Sequence, residues 1–416
     1  MKPMEKKSND TFCIVPFIHL STAPLGTLRP CCFSSQYKVS DENNQPFNLG
    51  HHKLAQIWES PHYEDLRKEF LSGKAPKACE FCFKEESFGK RSKRQKENDK
   101  YSHYIDSVLE NNKKRLAPKT LDLRLGNLCN LKCLSCNPLF SSPIEAEMKN
   151  QWPDHYFEKR DYENITYDNE WFSTKQFKEN INLLLEELEF VYVSGGEPTI
   201  NPSLLHFLKE AVDKRKASKI DLRFNTNLSH YNDEFYQILP HFKSVDISIS
   251  LDAIEKDLYL IRYPLQFKKV EENLEKLLLL SGEIEITFNC TTSLLNLFSL
   301  KDFYQWVDGK SQQHRRYFHI SVDLVHEPTY LNLIYLHPSL RNQARAEIQD
   351  ILSQVRLKSA AKKDLESLLP LIEPSENREL PEDYIHQWGK RAQFMKTMKD
   401  LRNIDLEQLE AMKIYE

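Results

Sequence analysis

Long apolar runs are missing from this sequence. None approaches the roughly 18 to 20 residues that a membrane helix requires, so no membrane span is expected. The opening residues, MKPMEKKSNDTFC, carry charge but no apolar core behind it, and no secretory signal is expected. Neither charge sign dominates: 57 basic residues face 61 acidic ones, for a net charge of −4. That balance argues against a mainly electrostatic grip on nucleic acid. Glycine is scarce, at ten residues in 416, and there is neither an internal repeat nor a low-complexity tract. Nine cysteines is an odd number, in a chain expected to stay in the cytoplasm. A disulfide framework fits that poorly, and thiolates kept for a metal fit it better.

What is present is grouped. At 40% hydrophobic over 416 residues, the chain can build two or three domains, or one barrel with an added domain. The cysteines fall into sets: Cys13, Cys31 with Cys32, Cys79 with Cys82, then Cys129, Cys133 and Cys136; only Cys290 stands alone. Residues 1–100 form a first unit that holds five of them, with a helix over 53–72 interrupted near Pro61. The basic stretch from Lys84 to Lys100 reads as a solvated linker or exposed helix, or as a docking surface for an acidic partner. Residues 101–328 form a second unit, and 329–416 a polar, mostly helical extension.

The second unit alternates two periodicities. Short β-branched and apolar runs at 119–125, 189–194, 219–226, 245–251, 283–291 and 317–325 predict strands. Helical spacing lies between them. Over 173–188, Ser173 and Gln176 suggest a capping box, with Phe177, Ile181, Leu184, Leu185 and Leu188 along one face. Over 264–281, Phe267, Val270, Leu274 and Leu277 do the same. Six strands alternating with helices predict an α/β fold with a parallel sheet, in which chemistry sits at the C-terminal strand ends. One insertion, 151–172, is rich in aromatics (Trp152, Tyr156, Phe157, Tyr162, Tyr167, Trp171 and Phe172) and reads as a cover over the core or as a substrate lid.

The cysteine motif follows the first predicted strand: Cys129-Asn-Leu-Lys-Cys133-Leu-Ser-Cys136. Composition alone would produce such a spacing on the order of 0.004 times in this length. Three thiolates on a four-iron cube leave one iron open, whereas structural zinc wants four closed ligands and no fourth lies near in sequence. The second predicted strand ends in Ser194-Gly195-Gly196-Glu197-Pro198. Adjacent glycines there let backbone approach a ligand, and Glu197 can accept from an ammonium group.

CNLKCLSC followed one strand later by GGEP resembles the radical S-adenosylmethionine (SAM) superfamily, over roughly residues 118–326. The resemblance implies a partial (β/α)6 TIM-type barrel. It implies a [4Fe–4S] cluster on Cys129, Cys133 and Cys136, with SAM chelating the open iron. Gly195, Gly196 and Glu197 would then receive the methionyl amino end of SAM, and Ser250 and Arg262 its carboxylate. Thr226 and Asn227 match an element that usually ends in glycine, where this chain has Leu228. Ser135 stands where many members have a bulky residue.

The earlier cysteines leave three readings open: a zinc knuckle, unrelated buried thiols, or an auxiliary iron–sulfur site. Cys13-Ile-Val-Pro-Phe, Gly26-Thr-Leu-Arg-Pro-Cys31-Cys32, Leu54-Ala-Gln-Ile-Trp58 and Cys79-x2-Cys82 resemble the twitch domain, a shortened SPASM domain of radical SAM enzymes. That resemblance implies a second [4Fe–4S] cluster on Cys13, Cys31, Cys79 and Cys82, with Cys32 possible in place of Cys31. In the family the twitch domain usually follows the barrel; here it comes first. Cys290, His326 and Glu327 lie near predicted strand ends and are candidates for contact with substrate. The expected function is SAM cleavage and hydrogen abstraction by an oxidoreductase-type enzyme, with a peptide or small-molecule substrate and a flavodoxin- or ferredoxin-type reductant. A non-enzymatic iron–sulfur or zinc scaffold is the alternative.

Overall fold

The computed structural model describes residues 11–34, 37–87, 89–110, 115–151, 165, 168, 170–373 and 379–413. Its centre is one sheet in the order β2-β1-β3-β4-β5-β6-β7-β8. The strands are β1 (His19–Thr22), β2 (Leu28–Arg29), β3 (Thr120–Arg124), β4 (Phe190–Ser194), β5 (Asp221–Thr226), β6 (Ser244–Ser250), β7 (Ile284–Thr292) and β8 (His319–Leu324). Strands β3 to β8 are the six expected from the sequence, within two residues at either end. They run parallel in sequence order, and helices separate them in the chain. The result is an α/β partial barrel, as the resemblance implies, with helices at its C-terminal end.

The sheet extends beyond the expected six strands. Strand β1, from the cysteine-rich first unit, pairs parallel with β3 (His19↔Thr120, Leu20↔Leu121, Ser21↔Asp122), and β2 closes that edge antiparallel. The first unit is therefore built onto the barrel sheet. It also has a small core of its own: Phe12, Ile14, Val15, Phe17 and Phe70 pack with Cys31 and Cys79 beside them.

Alternation explains the barrel. Leu121, Leu123, Val191, Val193, Leu222, Phe224, Ile247, Ile249, Ile286 and Phe288 are buried. The other parity carries Asp122, Arg124, Tyr192, Asn225, Ser248, Thr287, Asn289, Ser321 and Asp323, which line an interior chamber of about 470 Å³. TIM-type barrels ordinarily fill this space with branched apolar side chains. Here polar residues leave it as a chamber, and the helix Lys93–Lys100 lies at its foot through Lys93, Glu97 and Lys100.

Local signals mostly hold, with two corrections. The first-unit helix breaks as expected, into Leu54–Trp58 and Pro61–Leu71, where Ser60 caps the second piece and Pro61 takes the first helical position. The helix expected over 173–188 is Lys175–Leu185, and its cap is Thr174. Ser173 belongs to the preceding turn, so no Ser173–Gln176 box forms; the Thr174 hydroxyl accepts from Phe177 N at 3.1 Å and reaches the Gly50 carbonyl. The basic stretch is helical over Lys93–Lys100, with Lys96, Asp99 and Lys100 exposed, but it is not wholly solvated. Within it Arg94 is buried, pairs with Glu86, and donates through Nη1 to the Phe12 carbonyl at 2.7 Å. Of the aromatic insertion, Trp171 and Phe172 are buried as core cover, while Trp152, Tyr156, Phe157, Tyr162 and Tyr167 lie outside the described residues. The extension after β8 is helical, with Arg341–Gln354, Ser359–Glu366 and Tyr384–Arg402. No helix among the described residues is long and apolar enough to cross a membrane.

Candidate active site

The loop after β3 is fixed by backbone bonds on several sides. Lys132 N donates to the Tyr263 carbonyl at 2.6 Å and Leu134 N to the Ile261 carbonyl at 2.8 Å. Glu197 N, at the end of β4, donates to the Leu128 carbonyl at 2.8 Å. This last contact explains the adjacent glycines. Gly196 has φ +58, and a Cβ there would stand 2.1 Å from the Leu128 oxygen. Only glycine lets the β4 turn press against the residue before Cys129.

Above the interior chamber lies a second cavity of about 500 Å³. Cys129, Cys133 and Cys136 line it together with Gly195, Gly196 and Glu197. Thr226, Asn227, Ser250 and Arg262 reach it from the ends of β5 and β6, and His326 and Glu327 from beyond β8. The strand ends thus converge on one space. The thiols sit above their ordinary pKa, chiefly through burial; Cys133 raises Cys129 and Cys136 further, the latter up to about 12, while Arg262 works against the rise at Cys133. Metal loading there must release protons.

Two side chains have specific supports. Glu197 is buried and accepts from Thr199 N (3.1 Å), Thr199 Oγ1 (2.7 Å), Thr226 Oγ1 (2.8 Å) and Asn227 N (2.6 Å). Its carboxylate therefore clamps the end of β4 to the end of β5, a role the sequence did not reveal. Burial raises its pKa and those four donors work the other way. Arg262 is held by Asp252, Nε to Oδ2 at 2.7 Å, and its Nη1 lies 4.0 Å from Cys133 Sγ. A half-buried cation oriented in this way suits an anionic group of a ligand beside the thiols.

Cys290 is turned away from both cavities. It shares a parity with Phe288 and Ile286, is fully buried, and takes Asn296 Nδ2 at 3.4 Å. The neighbours Asn289 and Thr291 face the cavity instead. As a candidate for substrate contact, Cys290 is displaced by strand alternation.

The first-unit cysteines divide. Cys13, Cys31, Cys79 and Cys82 line one mostly apolar pocket with Val15, Phe70 and Phe81. Cys32 does not line it; it lines the foot of the barrel chamber with His19 and Lys93. Among the described residues, no group of three His, Cys, Asp or Glu is drawn together tightly enough for a single ion. Both thiol sets stand around the walls of a space, a donor chemistry that suits cysteine-held clusters. The two barrel cavities share Asn225, the first residue of the Asn225-Thr226-Asn227 element, and Arg124, Tyr192 and Asn289, which the sequence did not single out. Their inward parity on β3, β4, β5 and β7 was the available signal.

Comparison with known proteins agrees with this geometry. Residues 123–297 match the radical SAM superfamily, and residues 13–83 match SPASM, an iron–sulfur cluster-binding domain. The matched stretches contain the Cys129, Cys133 and Cys136 loop, Gly195-Gly196-Glu197, Ser250 and Arg262, and all four pocket cysteines. The chain thus carries a radical SAM domain over residues 123–297 and, ahead of it, a SPASM-type iron–sulfur domain over residues 13–83. Its cofactors are a [4Fe–4S] cluster with SAM at the barrel and further iron–sulfur binding in the first unit.

Similar solved structures include native anSMEcpe with bound AdoMet and the Cp18Cys peptide, at 18% identity, 56% of this chain, 59% of that one and TM-score 0.35. Streptococcus suis SuiB bound to S-adenosylmethionine gives 14%, 76%, 67% and 0.37, and TYW1 with a lysine–pyruvate adduct gives 17%, 56%, 72% and 0.29. The match spans 59% of the first of these chains, less than two thirds of its length. No curated protein matches the sequence.

Proposed function

We propose that this protein is a radical SAM enzyme that modifies, by net oxidation or rearrangement, a peptide or small molecule held in the barrel. One observation carries the reading: a single cavity gathers three thiols, the Gly195-Gly196 turn and the anchored Arg262 from beyond the ends of β3, β4 and β6. When bound, the cluster and SAM would supply one-electron cleavage of SAM and hydrogen-atom abstraction from the substrate.

The chain's own residues do the positioning. Cys129, Cys133 and Cys136 would hold the cluster at the mouth of the barrel. The Gly195-Gly196 backbone, Ser250 and Arg262 would seat the amino-acid end of SAM, and Thr226 and Asn227 its ribose side. Arg124, Tyr192, Asn225 and Asn289, at the junction of the cavities, would meet the substrate below SAM. Cys13, Cys31, Cys79 and Cys82 would hold the auxiliary cluster, which can accept the substrate electron, relay one, or anchor substrate. A flavodoxin- or ferredoxin-type protein would deliver the reducing electron. His326 and Glu327 flank the cavity mouth and are candidates for substrate contact. Residues 1–100, 101–328 and 329–416 correspond to the auxiliary unit, the barrel and the extension.

The test is anaerobic reconstitution followed by reduction with dithionite in the presence of SAM. Wild-type protein should bind about eight iron per chain and form 5′-deoxyadenosine and methionine, measured by mass spectrometry. Cys133→Ala should lose about half the iron and the nucleoside product. Equal product from wild type and Cys133→Ala, or none from either, would reject the enzyme reading and leave a scaffold.

A further inference from the structure

The C-terminal helix ends on the cysteine loop. Arg402 is its last residue, and Asn403, at φ 53, turns the chain away from it. The Arg402 side chain is 1% exposed and that of its partner Glu147 is 4% exposed. Arg402 Nε lies 3.1 Å from each Glu147 carboxylate oxygen, and Nη2 lies 2.5 Å from Oε2. Nη1 donates to the Lys132 carbonyl at 2.8 Å, one residue before Cys133. Lys132 Nζ also reaches Glu147, at 3.1 Å.

Such a pair is a weak device for stability. Removing both charges from water costs several kcal/mol, and well-packed apolar residues commonly serve as well or better. Its location gives it another use. Through its bond to the Lys132 carbonyl, the Arg402 guanidinium stands one residue from Cys133 in the chain and brings a positive charge to the cysteine loop. A nearby positive charge also favours the added electron of a reduced cluster, because cluster potentials follow local net charge and hydrogen bonding.

We infer that Arg402 and Glu147 together position the Cys133 segment and set the reduction potential of the cluster on Cys129, Cys133 and Cys136. Arg402 fixes the Lys132 carbonyl and supplies positive charge, while Glu147 orients the guanidinium and offsets part of that charge. The C-terminal extension is thereby part of the cluster site. The inference rests on the proposed cluster at the triad.

Opposed charge changes separate this role from simple bracing. Full-length wild type, Arg402→Met, Arg402→Lys and Glu147→Gln would be reconstituted anaerobically. Each would be titrated electrochemically while the EPR signal that changes on SAM addition is followed. Arg402→Met should shift the midpoint to lower potential, Glu147→Gln to higher potential, and Arg402→Lys should stay near wild type. If Arg402→Met fails to retain the cluster, the sign of the Glu147→Gln shift still decides. Unchanged midpoints, or shifts of the same sign in both charge-removing variants, would overturn the inference. A wild type with no SAM-responsive signal would instead reject the underlying enzyme reading.

Discussion

Leu228 holds a left-handed backbone conformation, φ 52, while its side chain is fully buried. It follows Thr226-Asn227, where the resembling family usually ends in glycine. A leucine there carries strain of roughly 1–2 kcal/mol, offset by burial of its side chain. Its amide donates to Thr226 Oγ1 at 3.0 Å and its carbonyl accepts Asn273 Nδ2 at 2.9 Å, so the conformation is held from both sides. Truncating a buried leucine costs about 2–5 kcal/mol, more than the strain released. Leu228→Gly should therefore destabilise the protein by about 1–4 kcal/mol in anaerobic urea unfolding. A stabilised variant would mean that strain outweighs packing. The paired cysteines allow a second prediction. Cys31 faces the four-thiol pocket and Cys32 the barrel chamber. Cys31→Ser should cost about four iron per chain on reconstitution and Cys32→Ser almost none. In the loaded wild type, iodoacetamide should reach Cys32 and spare Cys31, read by peptide mass spectrometry. The reverse pattern would exchange the two assignments.

Elements differ in how much of themselves they write into sequence. Strands β3 to β8 were legible because their helix-facing positions are aliphatic and their inward positions polar. Strands β1 and β2 were not: HLST and LR are short, and β1 offers Leu20 as its single aliphatic residue. Their pairing depends on β3, about a hundred residues away, and no local period reports it. The Cys290 parity could have been read, since IEITFNC places it on the face of Ile284, Ile286 and Phe288. The cysteine loop was legible because its ligands are local, whereas Arg402 lies 255 residues from Glu147. The cap before Lys175 shows the limit at finest grain: Ser173 and Thr174 are both good caps, and the buried turn at Trp171 selects the second. Thr174→Ala should cost about 1 kcal/mol in thermal or chemical unfolding, and Ser173→Ala less than about 0.5 kcal/mol. Equal effects would return the cap to the position the sequence suggested.

At the scale of the whole molecule, the order of the units matters less than the seam between them. The first unit comes before the barrel in the chain, yet it completes the sheet. Strand β1 covers the edge of β3, and Trp171 stands where any Cβ on Gly26 or Gly50 would go. Asn180, from the barrel, accepts from Leu54 N at 2.9 Å and donates to the Leu49 and His52 carbonyls at 2.8 Å. Trp58 Nε1 donates to the Leu116 carbonyl at 2.9 Å. Cutting the chain before residue 118 would free the β1 edge of β3, uncover these apolar faces and open the foot of the chamber where Lys93 and Lys100 lie. An exposed edge strand beside an uncovered apolar surface invites aggregation. A fragment of residues 118–416 should therefore be insoluble or aggregated, in contrast to the full chain, by soluble yield and size-exclusion chromatography. A soluble, monomeric fragment with native-like circular dichroism would show the seam to be dispensable. The same seam ties the two cysteine sets together. The chamber shares Val15, Phe33 and Lys93 with the four-thiol pocket and Arg124, Tyr192, Asn225 and Asn289 with the cavity at the triad, so the spacing of the two sets is set by the sheet and not by a linker.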